Sequence, residues 1–307
     1  MTHENTRPTA PAIYDADART LTQALGGRWH GGYGCAPCPV CQPDQRRDQN
    51  ALSISQGHDG RLLLHCFKGC DFRDILASAG VTPGTYAPPD PAIIALRCAE
   101  EREQAAKRAR QAQRCWQEAL PIGDTIAARY LRGRGITCDL PGTLRFHPSC
   151  WHGPTARRWP AMVAAVQGGD GAAVHRTFMR PDGSGKAPLD PDKMMLGATA
   201  GGAVRLADGH GALVVAEGIE TALSLASGLL RTPATIWAAL STSGLRGLRL
   251  PAQAGRLTIA CDGDEPGRAA GHALAERADA LGWQVSLLPA PEGRDWNDVL
   301  TGKAAAA

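Results

Sequence analysis

The chain has 307 residues, 43% of them hydrophobic and 21% charged, with a net charge of +3. That is the composition of a soluble globular protein of two or three domains; no apolar run nears the roughly 18 residues that cross a bilayer. Met1-Thr2-His3-Glu4-Asn5 has neither the basic nor the apolar stretch of a secretory leader, so a cytoplasmic location without a membrane role is expected, where ten cysteines are not a disulfide framework.

Read in chain order, residues 1–14 form a tail. Ala18 to Leu25 carries a helical pattern, with Asp17 as N-cap and Gly26-Gly27 as its stop. Residues 30–82 are rich in turns. Leu52-Ser53-Ile54 and Leu62-Leu63-Leu64 read as short strands there, and Asp71 to Ala79 as a short helix stopped by Gly80. Pro83 to Pro91 reads as a linker. Residues 92–118 are dense in Ala, Glu, Gln and Arg and predict a long, solvated helix. Across 119–206 short strands mix with turns. Ala161–Val166 and Val174–Met179 read as a pair around Gly168-Gly169-Asp170-Gly171. Apolar strands at 212–216, 235–240, 256–261 and 284–288 then alternate with helical patterns, clearest at 219–230 and 266–281. This alternation is the signature of a parallel α/β sheet.

Two features carry chemistry. Cys38-Pro39-Val40-Cys41 and Cys66-Phe67-Lys68-Gly69-Cys70 are close pairs, with 24 residues between them. Two such pairs supply the four thiolates that a structural Zn²⁺ takes, in a region too turn-rich for a core of its own. Cys35 forms a CxxC with Cys38, and His65 adjoins Cys66, so both stay open as ligands on spacing alone. Cys98, Cys115, Cys138, Cys150 and Cys261 are isolated and read as packing residues. The second feature is a pair of apolar strands that end in carboxylates: Val214-Val215-Ala216-Glu217-Gly218 and Ile259-Ala260-Cys261-Asp262-Gly263-Asp264. Sites in open α/β sheets lie outside such strand ends. If the two strands are neighbours, Glu217, Asp262 and Asp264 converge and need a hard cation between them. Only five of the 33 basic residues are lysine. The arginine bias suits phosphate contact, but a GC-rich coding sequence, which raises Arg, Ala and Gly together, is the favoured explanation.

These motifs resemble a known family. Ala216-Glu217-Gly218-Ile219-Glu220-Thr221-Ala222 and Asp262-Gly263-Asp264-Glu265-Pro266-Gly267 resemble the Toprim domain shared by bacterial-type primases and topoisomerases. The cysteine pairs, with His65 before the second, are similar to the zinc ribbon of phage and plasmid primases, with three rather than two residues inside the second pair. Arg129 to Ile136 resembles the segment that opens the primase polymerase core. His175-Arg176-Thr177 and Asp192 to Gly197 resemble the basic segments lining its nucleotide and template groove. Arg294 to Leu300 resembles the element that closes Toprim domains in mobile-element primases.

The resemblance, over roughly residues 20–300, implies a Toprim-domain DNA primase of the phage, plasmid or mobile-element type. The implied fold is multidomain α/β. An N-terminal tail and short helix (1–29) precede a β-rich zinc ribbon (30–82), then a linker and charged helix (83–118). A primase core follows, made of a mixed α+β basic subdomain (119–206), a parallel-sheet Toprim domain (207–290) and a C-terminal segment (291–307). Cys38, Cys41, Cys66 and Cys70 are the implied zinc ligands. Glu217, Asp262 and Asp264 are the implied catalytic residues, binding Mg²⁺ or Mn²⁺, with Asp295 and Asp298 as further acids. Arg176, Lys186 and Lys193 are implied to hold nucleoside triphosphate or template, the two lysines on a flexible loop segment. Glu220 reads equally as a helix-dipole partner and as a functional acid.

The implied partners are nucleoside triphosphates and single-stranded DNA, gripped by the zinc module with Arg46, Arg47 and Arg61. A replicative helicase would be a separate chain, because Gly185-Lys186 and Gly302-Lys303 lack the glycine spacing of a P-loop. The same carboxylates also fit a metal-dependent nuclease, and a non-catalytic single-stranded DNA-binding accessory is the third reading. Strand passage is disfavoured, since all four tyrosines precede the acidic motifs. The sequence leaves the oligomeric state open.

Overall fold

The computed structural model describes residues 17–30, 32–44, 46, 49–57, 61–81 and 91–302. The expected tail, most of the expected linker, and Arg47 lie outside the described residues. The chain divides into two compact units, Met1–Glu103 and Gln104–Ala307.

The first unit begins with α1 (Ala18–Ala24), whose N-cap Asp17 accepts a hydrogen bond from the Thr20 N–H at 2.6 Å. Strands β1 (Arg28–Trp29), β2 (Tyr33–Ala36), β3 (Leu52–Gln56) and β4 (Leu62–Cys66) form an antiparallel sheet in that order. Helix α2 (Phe72–Ser78) follows, capped by Asp71. The alternation along β3 buries Leu52 and Ile54 on one face. There they meet Leu21 and Leu25 of the α1 segment, Ala36 and Ile75. The expected boundary between residues 29 and 30 runs through this core, since β1 pairs with β2. Helix α3 (Pro91–Glu118) is the long helix its composition predicts, exposed along most of Glu100–Gln111 and buried at Ala112 and Cys115.

In the second unit β5 (Leu120–Pro121), α4 (Ile126–Gly133), β6 (Leu144–His152), β7 (Arg157–Val166), β8 (Ala173–Phe178) and β9 (Lys193–Gly197) come first. Their strands form an antiparallel sheet in chain order. Strand β10 (Val204–Ala207) then lies antiparallel at the edge of a second sheet. The rest of that sheet is parallel, in the order β12, β11, β13, β14, built from β11 (Leu213–Ala216), β12 (Thr235–Ala238), β13 (Arg256–Ala260) and β14 (Gln284–Leu287). Its helices are α5 (Ile219–Ser224), α6 (Thr242–Gly247), α7 (Glu265–Ala280) and α8 (Trp296–Thr301). The fold class is the mixed α/β one expected, with a β-rich first unit and a parallel sheet in the second.

Three apolar layers hold the second unit. Ala112, Cys115 and Trp116 of α3 pack on Val163, Val174 and Phe178 of the antiparallel sheet. The opposite face of that sheet, through Leu144, Met162 and Ala164, shares a core with Tyr130 and Leu131 of α4, Ile219 and Leu223 of α5, and Val214 and Ile236 of the parallel sheet. Leu245, Ala270 and Leu274 then cover Val215, Trp237, Leu257 and Ile259 on the far side. The helix expected over 219–230 is broken. After Ser224 the chain enters a wide turn, Leu225–Leu229, in which Gly228 takes a φ of 116°, a conformation costly for any residue with a Cβ. Cys115 and Cys150, expected as isolated packing residues, are both buried and stand 3.8 Å apart at sulfur.

Candidate metal centres and the basic face

In the first unit, Cys38 and Cys41 lie in the turns that follow β2, and Cys66 ends β4. Gly69, with a φ of 80°, turns the chain so that Cys70 returns toward Cys66. The four sulfur atoms lie within 4.8 Å of one another, and Cys41 and Cys66 are 3.7 Å apart. Sulfurs set tetrahedrally about a zinc at about 2.3 Å stand about 3.8 Å apart, so the cluster has the dimensions of such a site. Gln42 braces it, its side-chain oxygen accepting from the Cys38 and Ala51 N–H groups. Burial opposes ionisation of Cys66, but the N–H groups of Cys70 and Lys68 outweigh it and bring that thiol down to about 7. Burial and the neighbouring thiols push Cys70 up to about 12. A divalent cation is what lets all four ionise together, so the donor set fits zinc.

Cys35 and His65 stand apart from this group. They align across β2, β3 and β4 opposite Ser53. His65 packs edge-on against Phe67 at 5.0 Å. With Tyr33, Leu63 and Phe67, at 47%, 52% and 69% exposure, His65 forms an aromatic and apolar strip that sequence reasoning missed. Period-two alternation in β4 was the available signal. Arg46 and Arg61 are exposed.

In the second unit, β11 and β13 are direct neighbours, with Ala216 opposite Ala260. That register brings Glu217 and the Asp262–Asp264 loop to the same sheet edge. Glu217 is held by its backbone oxygen, which accepts from Leu240 N–H at 2.7 Å. Asp262 accepts from Thr221 Oγ1 at 3.4 Å. Asp264 caps α7 and accepts from Gly267 N–H at 2.7 Å. Between the two aspartates, a Cβ on Gly263 would overlap the carbonyl oxygen of Pro291. Its bare backbone instead bonds Arg294 O and Gly293 N–H, at 2.8 and 3.2 Å.

Burial, then the charges of Glu217, Asp295 and Asp264, push Asp262 up to about 7. Burial and Asp264 likewise raise Glu217. This mutual repulsion is an unmet demand for a cation, and all-oxygen donors fit Mg²⁺ or Mn²⁺. Asp295 adds its charge to those that raise Asp262. Asp298 is spent differently: it and Asp295 cap α8 reciprocally, each side chain bonding the other's backbone N–H.

The three basic candidates diverge. Lys193 is not on a flexible loop but opens β9, opposite Thr177 of β8. Its Nζ lies 3.3 Å from Glu220, and its charge reaches Glu217, where it opposes the upward shift. Lys186 pairs with Asp192 at 3.2 Å. Arg176, expected to bind phosphates, does not face the site. Successive residues of a strand point to opposite faces, so Arg176 turns toward the α3 layer. There it is 6% exposed and donates to the carbonyls of Trp151 and Met195 at 3.1 and 3.4 Å. Glu220, read equally as a helix-dipole partner and as a functional acid, is buried between Tyr130 and Lys193.

Residues 212–306 match the family described as "Toprim domain". Residues 106–206 match "Domain of unknown function (DUF7146)". No curated protein matches the chain significantly. Among solved structures, the chain is similar to a DNA primase domain from Pseudomonas aeruginosa, with 18% identity over 64% of this chain and 75% of that one and a TM-score of 0.38. It is also similar to the Aquifex aeolicus primase (zinc binding and RNA polymerase domains), with 13% identity over 92% and 79% and a TM-score of 0.39. The RNA polymerase domain of the Mycobacterium tuberculosis primase matches at 18% identity over 64% and 77%, with a TM-score of 0.37.

Proposed function

We propose that the chain is a DNA primase that makes short oligonucleotide primers on single-stranded DNA by metal-dependent nucleotidyl transfer, in replication of a phage, plasmid or integrated element. One observation carries this reading: Glu217 meets the Asp262–Asp264 loop at the ends of adjacent parallel strands, with the Lys193 ammonium in electrostatic reach of Glu217. Carboxylates alone would serve water activation equally well. A held cation beside them adds what a triphosphate requires. In this reading Glu217, Asp262 and Asp264 hold Mg²⁺ or Mn²⁺, with Asp295 at the margin of the group. An ion bound there would supply charge stabilisation for nucleotidyl transfer. Lys193 faces the phosphates, and Lys186 supports it from the neighbouring segment.

The cysteine cluster, holding Zn²⁺, fixes the first unit. Its exposed Tyr33, His65 and Phe67 offer stacking surfaces for template bases, with charge from Arg46 and Arg61. Any helicase is a separate partner, and the protein works in the cytoplasm.

The test is incubation with single-stranded DNA, labelled nucleoside triphosphates and Mg²⁺ or Mn²⁺, resolving products by length. Short products that require both template and nucleotides support the reading. Shortened DNA with Mn²⁺ and no incorporation overturns it in favour of a nuclease.

A further inference from the structure

Glu220 is an unusual residue for a buried position. It is 5% exposed, in the first turn of α5, and a buried carboxylate survives only when paired and hydrogen-bonded. Both conditions are met by residues distant in sequence. Tyr130 Oη on α4 donates to Oε1 at 3.0 Å, and Lys193 Nζ on β9 donates to Oε2 at 3.3 Å. Burial alone would raise Glu220, but Lys193 chiefly, with Lys186 and the Tyr130 hydrogen bond, outweighs it and holds the carboxyl at about 2. Burial alone would likewise lower Lys193, yet Glu220, then Asp192, keep it raised. His175, on the same face two positions along β8, adds no competing charge. Burial and the Lys193 ammonium hold it down at about 4, so its ring is neutral.

Glu217 and Glu220 are three residues apart at the start of one helix, and their surroundings act in opposite senses. Glu217 sits among like charges at the sheet edge. Glu220 is buried and holds the Lys193 ammonium. Lys193 is bonded to Glu220, and its charge opposes the upward shift of Glu217.

We infer that Glu220 is a positioning residue: through Tyr130 behind it, it fixes the Lys193 ammonium facing Glu217, and so sets the affinity for the triphosphate. This rests on the primase reading for its kinetic consequence and on geometry alone for the lysine contact. A lysine is a point charge on a flexible four-carbon stem; the contact with a buried, immobile carboxylate removes that freedom before substrate arrives. Pre-ordering of this kind lowers the cost of binding.

The test is Glu220→Gln, which keeps shape and an acceptor for Tyr130 while deleting the charge, with Glu220→Asp as the conservative control. The nucleotide KM for primer synthesis should rise about tenfold in Glu220→Gln, with kcat within about twofold. Glu220→Asp should restore much of the affinity. In a Lys193→Ala background, Glu220→Gln should add little further to KM, because the two act as one unit. A structural role alone would lower the melting temperature of Glu220→Gln and leave KM where it was, which overturns the proposal.

A second readout needs no turnover. The lysines are reductively methylated with ¹³C-formaldehyde and titrated by NMR, with Lys193 identified by its loss in Lys193→Ala. Its titration should move to lower pH in Glu220→Gln. An unchanged Lys193 titration overturns the positioning role, whatever the activity. Absence of synthesis in the wild type, with the titration shifted as expected, counts instead against the primase reading.

Discussion

The two candidate metal centres are built on opposite principles. The four cysteine sulfurs lie within 4.8 Å of one another, held there by backbone turns, a buried Gln42 and the sheet ends. The carboxylates share a sheet edge without closing on one another in that way, and Asp262 shows the strain as a raised affinity for protons. Soft thiolates around a closed site suit an ion that stays and holds a fold together. Hard oxygens that repel one another suit an ion that arrives with substrate and leaves with product. The contrast separates a closed thiolate site from an open carboxylate one.

Removal of zinc tests the first half of that contrast and should have the largest effect, since coupled zinc binding contributes on the order of 10 kcal/mol in small domains. Metal analysis of purified protein should give about one zinc per chain. Cys66→Ser should release it and abolish cooperative melting of the first unit, while the second unit melts as before. Full zinc in a Cys66→Ser, Cys70→Ser double variant would break the assignment.

Next in size is the loss of charge at the open centre. Glu217→Gln and Asp262→Asn should each cost about 4 kcal/mol of barrier, or roughly 10³-fold in primer synthesis, with folding preserved. Synthesis at the wild-type rate in either variant would remove the carboxylates from the mechanism.

The pH response sharpens the comparison. Asp262 has a folded-state value near 7, above its ordinary carboxylate value. The proton-linked stability it contributes is therefore fully present at low pH and is lost as pH rises through 7. Metal-free protein should thus melt progressively lower between about pH 4 and pH 7. Mg²⁺ should restore stability most at the upper end, by about 2.7 kcal/mol at a hundredfold excess over its dissociation constant. Asp262→Asn should flatten both trends in calorimetry; a metal-free melting temperature independent of pH would contradict the electrostatic account.

The smallest effect concerns Arg176. Because its guanidinium holds the carbonyls of Trp151 and Met195, Arg176→Lys should cost about 1.5 kcal/mol of stability and leave the nucleotide KM unchanged. A raised KM without destabilisation would return Arg176 to the phosphate site.

What the sequence made legible was local. The cysteine pairs, the carboxylate-ended strands and their parallel sheet all rest on spacing within one or two elements. The errors arose where partners are remote. Arg176 and His175 are adjacent, and only the pairing of β8 with β7 and β9 decides which of them faces the acids. The two readings of Glu220 stayed open because its partners Lys193 and Tyr130 lie 27 and 90 residues away. Lys193 sits among Gly, Pro and Asp residues that read as loop, and the antiparallel partner that makes it a strand is not visible locally. The break after Ser224 hinges on Gly228, an ordinary-looking residue in an otherwise helical pattern.

Gly263 has a consequence for engineering. Its backbone is stitched to residues 293 and 294, so the loop carrying Asp262 and Asp264 and the segment leading to Asp295 form a single two-stranded seam. A chain cut after Leu288 would therefore lose more than one acid: it would unstitch the loop and leave its two remaining carboxylates without a fixed spacing. The segment around Gly293 and Arg294 is thus part of the scaffold, and a tag or fusion is best joined beyond α8, leaving the seam intact.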